Sequence, residues 1–382
     1  MKMKKLARAG IEDAVAVITG FPLTGTASIL LTDGLLPCIR SLFERTYLDW
    51  ELKDWPHLYA NESHLLNITH YHKTSRLPQV IIFDNSERAL NIGDIYVSRS
   101  SIQFQVSKDI KARTEDAFCA YMKMLRWRNK VYHNDRNVRL KDLTISEQRL
   151  VLTVQNVAYE DYLRTNLVLD SEFNDHQMTL RMLVHHDKKL EPLSDSPLAN
   201  NFGVNVLIFT IDGQLIIQKR SNKVIVRPNE YCPSASGTIS ALDIPNHDTP
   251  LSEVPLMREA MEELGYYDPD HKNVFMLGIT RELIRGGQPE LFLAARSSLS
   301  ASEFMNGYAH AHDRFESKSL HFFKFDRYAF SEELDTPDKI ARFISLVDKF
   351  IDRFKDRMSI PLWTAIALWK NARIAGSAMF PS

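Results

Sequence analysis

Two periods run along this chain, and where each one holds decides the element. Residues 204–211 (VNVLIFTI) are almost unbroken in apolar and β-branched side chains, and residues 214–220 (QLIIQKR) follow directly after Asp212-Gly213. Two such runs joined at Asp-Gly predict a β-hairpin. Residues 281–292 (RELIRGGQPELF) repeat the form, with Gly286-Gly287 as the turn. Further strands are expected at 14–19, 79–83, 94–107, 138–145, 150–157 and 320–325, with 138–145 and 150–157 joined as a hairpin across 146–149. The 3.6-residue period appears at 257–264. There Met257, Ala260, Met261 and Leu264 fall at i, i+3, i+4 and i+7 and form one core-facing stripe. Gly265 stands where such a helix ends, and Thr249 or Ser252 is the expected cap at its start. Residues 112–131, 339–354 and 360–372 read as three more helices.

Residues 187–201 (DKKLEPLSDSPLANN) are rich in Pro, Ser, Asp and Asn and read as a linker. At 382 residues the chain exceeds one domain of ordinary size. The expectation is therefore an α/β chain in two parts: a separate α+β domain at 1–186, of no assigned role, and a second domain at 202–382 closed by the C-terminal helices. Hydrophobic content of 44% and charge of 25% are those of a soluble globular protein. A net charge of −1 argues against a general nucleic-acid or membrane binder. Cys38, Cys119 and Cys232 lie too far apart for a zinc pattern or a disulfide framework, which suits a reducing cytoplasm. No signal peptide or membrane span stands out. Gly20-x4-Gly25 has the spacing of a phosphate loop, but Thr26 stands where the lysine belongs. The basic helix 112–131 reads as a half-buried element with a wet face.

The polar side of the 258–264 helix carries candidate chemistry. Glu259, Glu262 and Glu263 fit within an arc of about 100°. Arg258, one turn before Glu262, can pair with it and leave Glu259 and Glu263 less neutralised. Uncompensated carboxylates on a rigid element suit a hard cation such as Mg²⁺ or Mn²⁺. The plainer alternative is a solvated acidic face.

These residues resemble the signature of the Nudix hydrolases, G-x5-E-x7-R-E-U-x-E-E-x-G-U, with U a bulky apolar residue. Arg258, Glu259, Glu262, Glu263 and Gly265 match, Tyr266 fills the last position, and Gly237 serves as the opening glycine. The interval from Gly237 to Arg258 is seven residues longer than in the family, and Pro250 stands eight before Arg258, where a glutamate is expected. Asp243 keeps the spacing from Gly237. The resemblance implies an α/β/α sandwich over the second part of the chain. It also implies metal-assisted hydrolysis of a diphosphate bond in a nucleoside diphosphate-linked substrate. The implied cation ligands are Glu259, Glu262, Glu263 and a main-chain carbonyl at Ser236-Gly237, with Glu316 as a further acid for catalysis. Arg281 and Arg285 are candidates for phosphate oxygens, and Glu290, at a strand edge, for substrate. The expected partner is a nucleotide-derived small molecule, and a homodimer is open. The lengthened interval leaves a second function in view, a nucleotide sensor on the same fold that signals to the N-terminal part. A third, isomerisation of a prenyl diphosphate, would need a cysteine facing a glutamate, and Cys232 is the nearest thiol.

Overall fold

The computed structural model describes residues 54–376 apart from 89, 128–133, 135, 147, 174–177, 245–247, 255–257, 266–272, 313 and 331. The strand and glycine pair expected at 14–26, and Cys38, lie outside the described residues. Residues 53–382 form one compact unit. The fold is mixed α/β, with nine of its described strands in one central sheet.

In chain order the strands are β1 (Leu65–His70), β2 (Lys73–Asp84), β3 (Ile95–Arg99), β4 (Arg136–Ile145), β5 (Leu150–Ala158), β6 (Glu172–Phe173), β7 (Met178–Thr179), β8 (Gly203–Phe209), β9 (Gln214–Arg220), β10 (Tyr231–Cys232), β11 (Ala235–Thr238), β12 (Thr249–Pro250), β13 (Val274–Glu282), β14 (Gln288–Arg296) and β15 (Ser317–Lys324). The helices used below are α1 (Lys108–Trp127), α2 (Tyr159–Arg164), α3 (Leu180–Val184), α4 (Arg258–Leu264), α5 (Ala301–Tyr308), α6 (Pro337–Phe354) and α7 (Ile360–Ile374).

The central sheet runs β1-β2-β13-β14-β8-β9-β10, with β11 also on β8 and β15 also on β9. Among the described residues only β14 and β8 pair in parallel within it. Both faces are covered, which explains the unbroken apolar run of β8. Val204, Val206 and Ile208 join one core, while Leu207 and Phe209 join the other. On the second face lie α6 and α7. Phe343, Val347, Phe350, Ile351 and Phe354 of α6 recur at helical spacing and are buried there with Trp369 of α7. Burying each such side chain contributes about 1.5–3 kcal/mol. Thr336 and Ser359 cap the two helices through their hydroxyls, which accept from Lys339 N and Leu362 N.

The first face is covered by a second sheet, β12-β3-β5-β4, together with α4 and α5. Ile95, Val97, Leu140, Leu150, Leu152 and Val154 from this sheet pack in one core with Val204, Ile279, Leu291, Ala260 and Leu264. The expected boundary at 187–201 is therefore corrected. Residues before it share the central sheet, because β2 pairs with β13 from Gln79↔Glu282 to Asp84↔Gly278. The segment itself is not an exposed linker. Leu190, Leu193 and Leu198 are buried among its polar neighbours, and Arg139 Nη2 donates to Leu193 O (2.8 Å) and Ser196 O (3.2 Å).

Two element boundaries also move. Thr249 and Pro250, expected to open a helix, form β12 against Val97 and Tyr96, and the described part of the helix begins at Arg258. The strand expected over 94–107 ends at Arg99, and Ser107 instead caps α1 by accepting from Ile110 N at 3.3 Å. No helix among the described residues is long and apolar enough to cross a membrane.

Candidate functional site

The sheet forks at β8. Its first half pairs with β11, from Gly203↔Thr238 to Val206↔Ala235, whereas its last residue, Phe209, pairs with β9 at Leu215. β9 then continues alongside β10 and β15. At this end of the sheet lies a cavity of about 370 Å³, within the range of small-molecule sites. Its walls come from β8 (Gly203, Asn205), β11 (Ser236, Gly237, Thr238), β14 (Gln288, Glu290), and the stretch between β9 and β10 (Lys223, Val226, Arg227). Arg220, Arg285 and Glu316 also line it, as do Asn137, Tyr159 and Tyr162 from the earlier part of the chain.

Helix α4 is seated by its apolar stripe. Ala260 and Leu264 are fully buried, and Gly265 follows at φ +65°, in contact with the backbone of Gly307, where a side chain would collide. This seating buries Glu263. Its Oε2 accepts from Gln218 Nε2 at 2.8 Å and from Ser236 N at 3.3 Å, which places the carboxylate beside the Ser236-Gly237 backbone. Glu262 Oε2 accepts from Arg258 Nη1 at 2.8 Å, the pairing expected from spacing. Glu259 belongs to the same helix, but its side chain lies outside the described residues. Ser236 Oγ is buried and has no hydrogen-bond partner among the described residues. Among the described residues no three His, Cys, Asp or Glu side chains gather as a metal-holding group.

Four expected residues meet in the cavity: Gly237, Arg285, Glu290 and Glu316. Glu316 Oε2 lies 3.6 Å from Arg220 Nη2. Burial works against the charge of Arg220, but Cys232, Glu263, Glu316 and Glu230 outweigh it and raise its pKa. Arg285 Nη1 donates to Tyr162 Oη at 2.9 Å, and its Nε lies 3.8 Å from Glu282. Glu290 accepts from Gln79 Nε2 at 3.4 Å. Burial, then the neighbouring Glu282, hold its carboxyl well above the usual range, against the pull of Arg227 and Arg285.

Arg281 goes elsewhere. It is buried away from the cavity, where Nη1 donates to Glu191 O (2.6 Å) and Nε to Gly287 O (3.1 Å), and burial lowers its pKa to about 10. It fastens the β13–β14 turn to the 187–201 segment. The structure does not bring the expected phosphate contact to the cavity: two of the three guanidinium nitrogens donate to main-chain carbonyls, and Nη2 is buried without a partner among the described residues.

Sequence reading missed Arg220, Arg227, Asn137, Asn205 and Tyr159. Arg227 pairs with the fully buried Glu282 through Nη2. It sits at φ +51°, in a stretch without periodicity, so no pattern announced it. Cys232 lines the cavity, and burial pushes its thiol up to about 11.

No family model matches this chain, and no curated protein does. Among solved structures it is similar to DR0079 from Deinococcus radiodurans, at 16% identity and a TM-score of 0.24, over 40% of this chain and 82% of that one. It is also similar to a bifunctional NMN adenylyltransferase/ADP ribose pyrophosphatase from Francisella tularensis, crystallised with AMP and a manganese ion. There the identity is 11% and the TM-score 0.26, over 57% of this chain and 62% of that chain, less than two thirds of its length.

Proposed function

We propose that the protein is a Nudix-type hydrolase that cleaves a diphosphate bond in a nucleoside diphosphate-linked substrate with help from Mg²⁺ or Mn²⁺. One observation carries the reading: the buried Glu263 carboxylate is hydrogen-bonded to Ser236 N, on the strand whose Ser236-Gly237 backbone lines an arginine-bearing cavity. The donor chemistry fits a hard cation. Glu263 supplies carboxylate oxygen, the Ser236-Gly237 segment supplies main-chain oxygen, and the orphaned Ser236 Oγ is a buried polar atom that such a group would satisfy. Glu259 would complete the set, whereas Glu262 is held by Arg258. When bound, the cation would screen the diphosphate oxygens and lower the pKa of attacking water.

The chain's own residues would do the rest. Arg220, Arg227 and Arg285 hold positive charge where phosphate oxygens would lie. Glu316, half-exposed and within reach of Arg220, would accept a proton from water. Glu290, whose carboxyl burial and Glu282 hold well above the usual range, would put less negative charge at the phosphate end than an ordinary glutamate.

The test is release of phosphate or nucleoside monophosphate from a panel of diphosphates, with and without Mg²⁺. Glu263→Gln is expected to slow turnover by about 10²–10³-fold, the scale of losing the several kcal/mol that a held cation supplies to charge stabilisation. Metal-independent turnover, or full activity in Glu263→Gln, would sink the proposal. A ligand sensor is the second reading. The pairing of β12 with β3 favours it, because it ties the lengthened signature loop to the second sheet. A thermal shift with nucleotides but no product would support that reading instead.

A further inference from the structure

Arg139 on β4 is 2% exposed and forms no ion pair among the described residues. Its Nη2 donates to Leu193 O and Ser196 O, and its guanidinium lies 4.2 Å over the Phe104 ring. Those groups offer partial negative charge, and none offers a full one. Its Nε is buried with no hydrogen-bond partner among the described residues. Burial, then the positive charge of Arg281, bring its pKa down to about 10.

Asn201 faces Arg139 across an antiparallel bridge. The two side chains therefore leave the backbone on the same face, with Cβ atoms about 4.5–5.5 Å apart. Asn201 is fully buried, and neither its Nδ2 nor its Oδ1 has a hydrogen-bond partner among the described residues. Three orphaned polar atoms thus sit side by side at the end of the 187–201 segment. A buried water would take up hydrogen bonds there. It would leave the guanidinium charge uncompensated, and an unpaired buried charge is the larger penalty.

We infer that Arg139 and Asn201 form a binding site for a buried monovalent anion of halide size, held by Arg139 Nε and Asn201 Nδ2. Burial sets the size, since a phosphoester or a long carboxylate would keep both side chains open to solvent. Asn201 Oδ1 needs a donor, which a halide lacks, and a water enclosed beside the ion supplies it. Asn137 and Gly203, each two positions along the chain from this pair, line the cavity, whereas Arg139 and Asn201 do not. The anion site is therefore separate from the proposed places of cation and phosphate. By neutralising Arg139, the ion secures the grip of that side chain on Leu193 and Ser196.

The experiment compares thermal melts of the full chain, first dialysed into sodium gluconate, in sodium chloride, sodium bromide and sodium gluconate at equal ionic strength. Gluconate is too large to be enclosed. The melting temperature should rise with chloride or bromide relative to gluconate, because a ligand held only by the folded chain stabilises it. Arg139→Met should erase the difference between the salts, and Asn201→Leu should need more halide for the same rise. Crystals grown in bromide should show an anomalous peak within hydrogen-bonding reach of Arg139 Nε and Asn201 Nδ2. Identical melting in all three salts overturns the inference, as does a salt difference that survives in Arg139→Met. So does a density peak at the site with no anomalous signal, which marks a water only. Should Arg139→Met not fold, the native melts and the bromide crystal decide. Neither nucleotide, metal nor turnover enters these readings, so they stand or fall apart from the proposed hydrolysis.

Discussion

Arg258 Nε donates to Asp243 Oδ2 at 3.2 Å, across fifteen positions of sequence, and so joins the acid-bearing helix to the loop before it. Asp243 stands six residues after Gly237, where the family signature has its first glutamate. Arg258 also reaches Glu262 at 2.8 Å and Thr238 O at 3.4 Å, so one guanidinium ties three segments. The pair is partly exposed, at 31% and 14% for the two side chains. A double-mutant cycle with Asp243→Ala and Arg258→Ala in urea should give a coupling of about 0.5–1 kcal/mol, the upper part of the range for such pairs. A coupling near zero would mean that the contact does not hold the loop.

Leu198 tests whether the 187–201 segment belongs to the core. It is fully buried with Leu169 and Leu180, and a Cβ on Gly286 would approach it within 2.7 Å. Leu198→Ala should cost about 2–5 kcal/mol. Because residues 53–382 form one compact unit, the loss should appear as one shifted transition, read alike by probes near Trp55 and Trp369. Two separate transitions, only one of them moved, would restore the linker.

Local pattern made part of this legible. The hairpins at Asp212-Gly213 and Gly286-Gly287 were readable because turn chemistry and strand period sit side by side in sequence, and all four glycine and aspartate positions are where the structure turns. Gly265 ending α4 follows the same logic. Partners far apart in sequence carry no such mark. Nothing in Gln79 to Asp84 names β13 as its neighbour, and nothing in Thr249-Pro250 names Val97 and Tyr96. The segment 187–201 misled because polar composition describes its surface residues, while three leucines decide where it sits. Within the candidate site, spacing alone marked the Arg258–Glu262 pair, which the structure brings to 2.8 Å. It did not mark Asn137, Asn205 and Tyr159, since a residue lining a cavity needs no period.

Glu290 should make stability depend on pH in a defined direction. An ordinary glutamate titrates at 4.5, and burial raises this one in the folded state. The folded protein thus holds the proton more tightly than the unfolded chain. Its contribution is fully present below about pH 4.5 and is lost as pH rises through the folded value. Glu290→Gln removes that loss. Thermal melts from pH 4 to 9 should show the variant gaining on the native protein as pH increases, with the smallest difference at the acid end. Parallel curves would show that Glu290 is ionised in the folded state.

From the second sheet, Arg99 holds the loop that follows β11. Its Nη1 donates to Ala241 O at 3.2 Å and Ile244 O at 2.9 Å, and its Nε donates to Asn156 Oδ1 at 2.9 Å. These two carbonyls flank Asp243, which in turn meets Arg258, so the guanidinium fixes the loop on both sides of the acid that braces α4. Charge-assisted bonds of this kind contribute about 1.5–3 kcal/mol where they are sheltered, and less where water competes. Arg99→Met keeps an unbranched apolar stem and removes every donor. Hydrogen exchange of peptides spanning 239–244 should then accelerate while β13 and β14 stay protected. If the hydrolase proposal is right, kcat should fall with KM little changed, because Arg99 touches the loop and not the cavity. Unchanged exchange at 239–244 would show that the loop stands without it. Faster exchange with full turnover would show that the loop's position is immaterial to the chemistry.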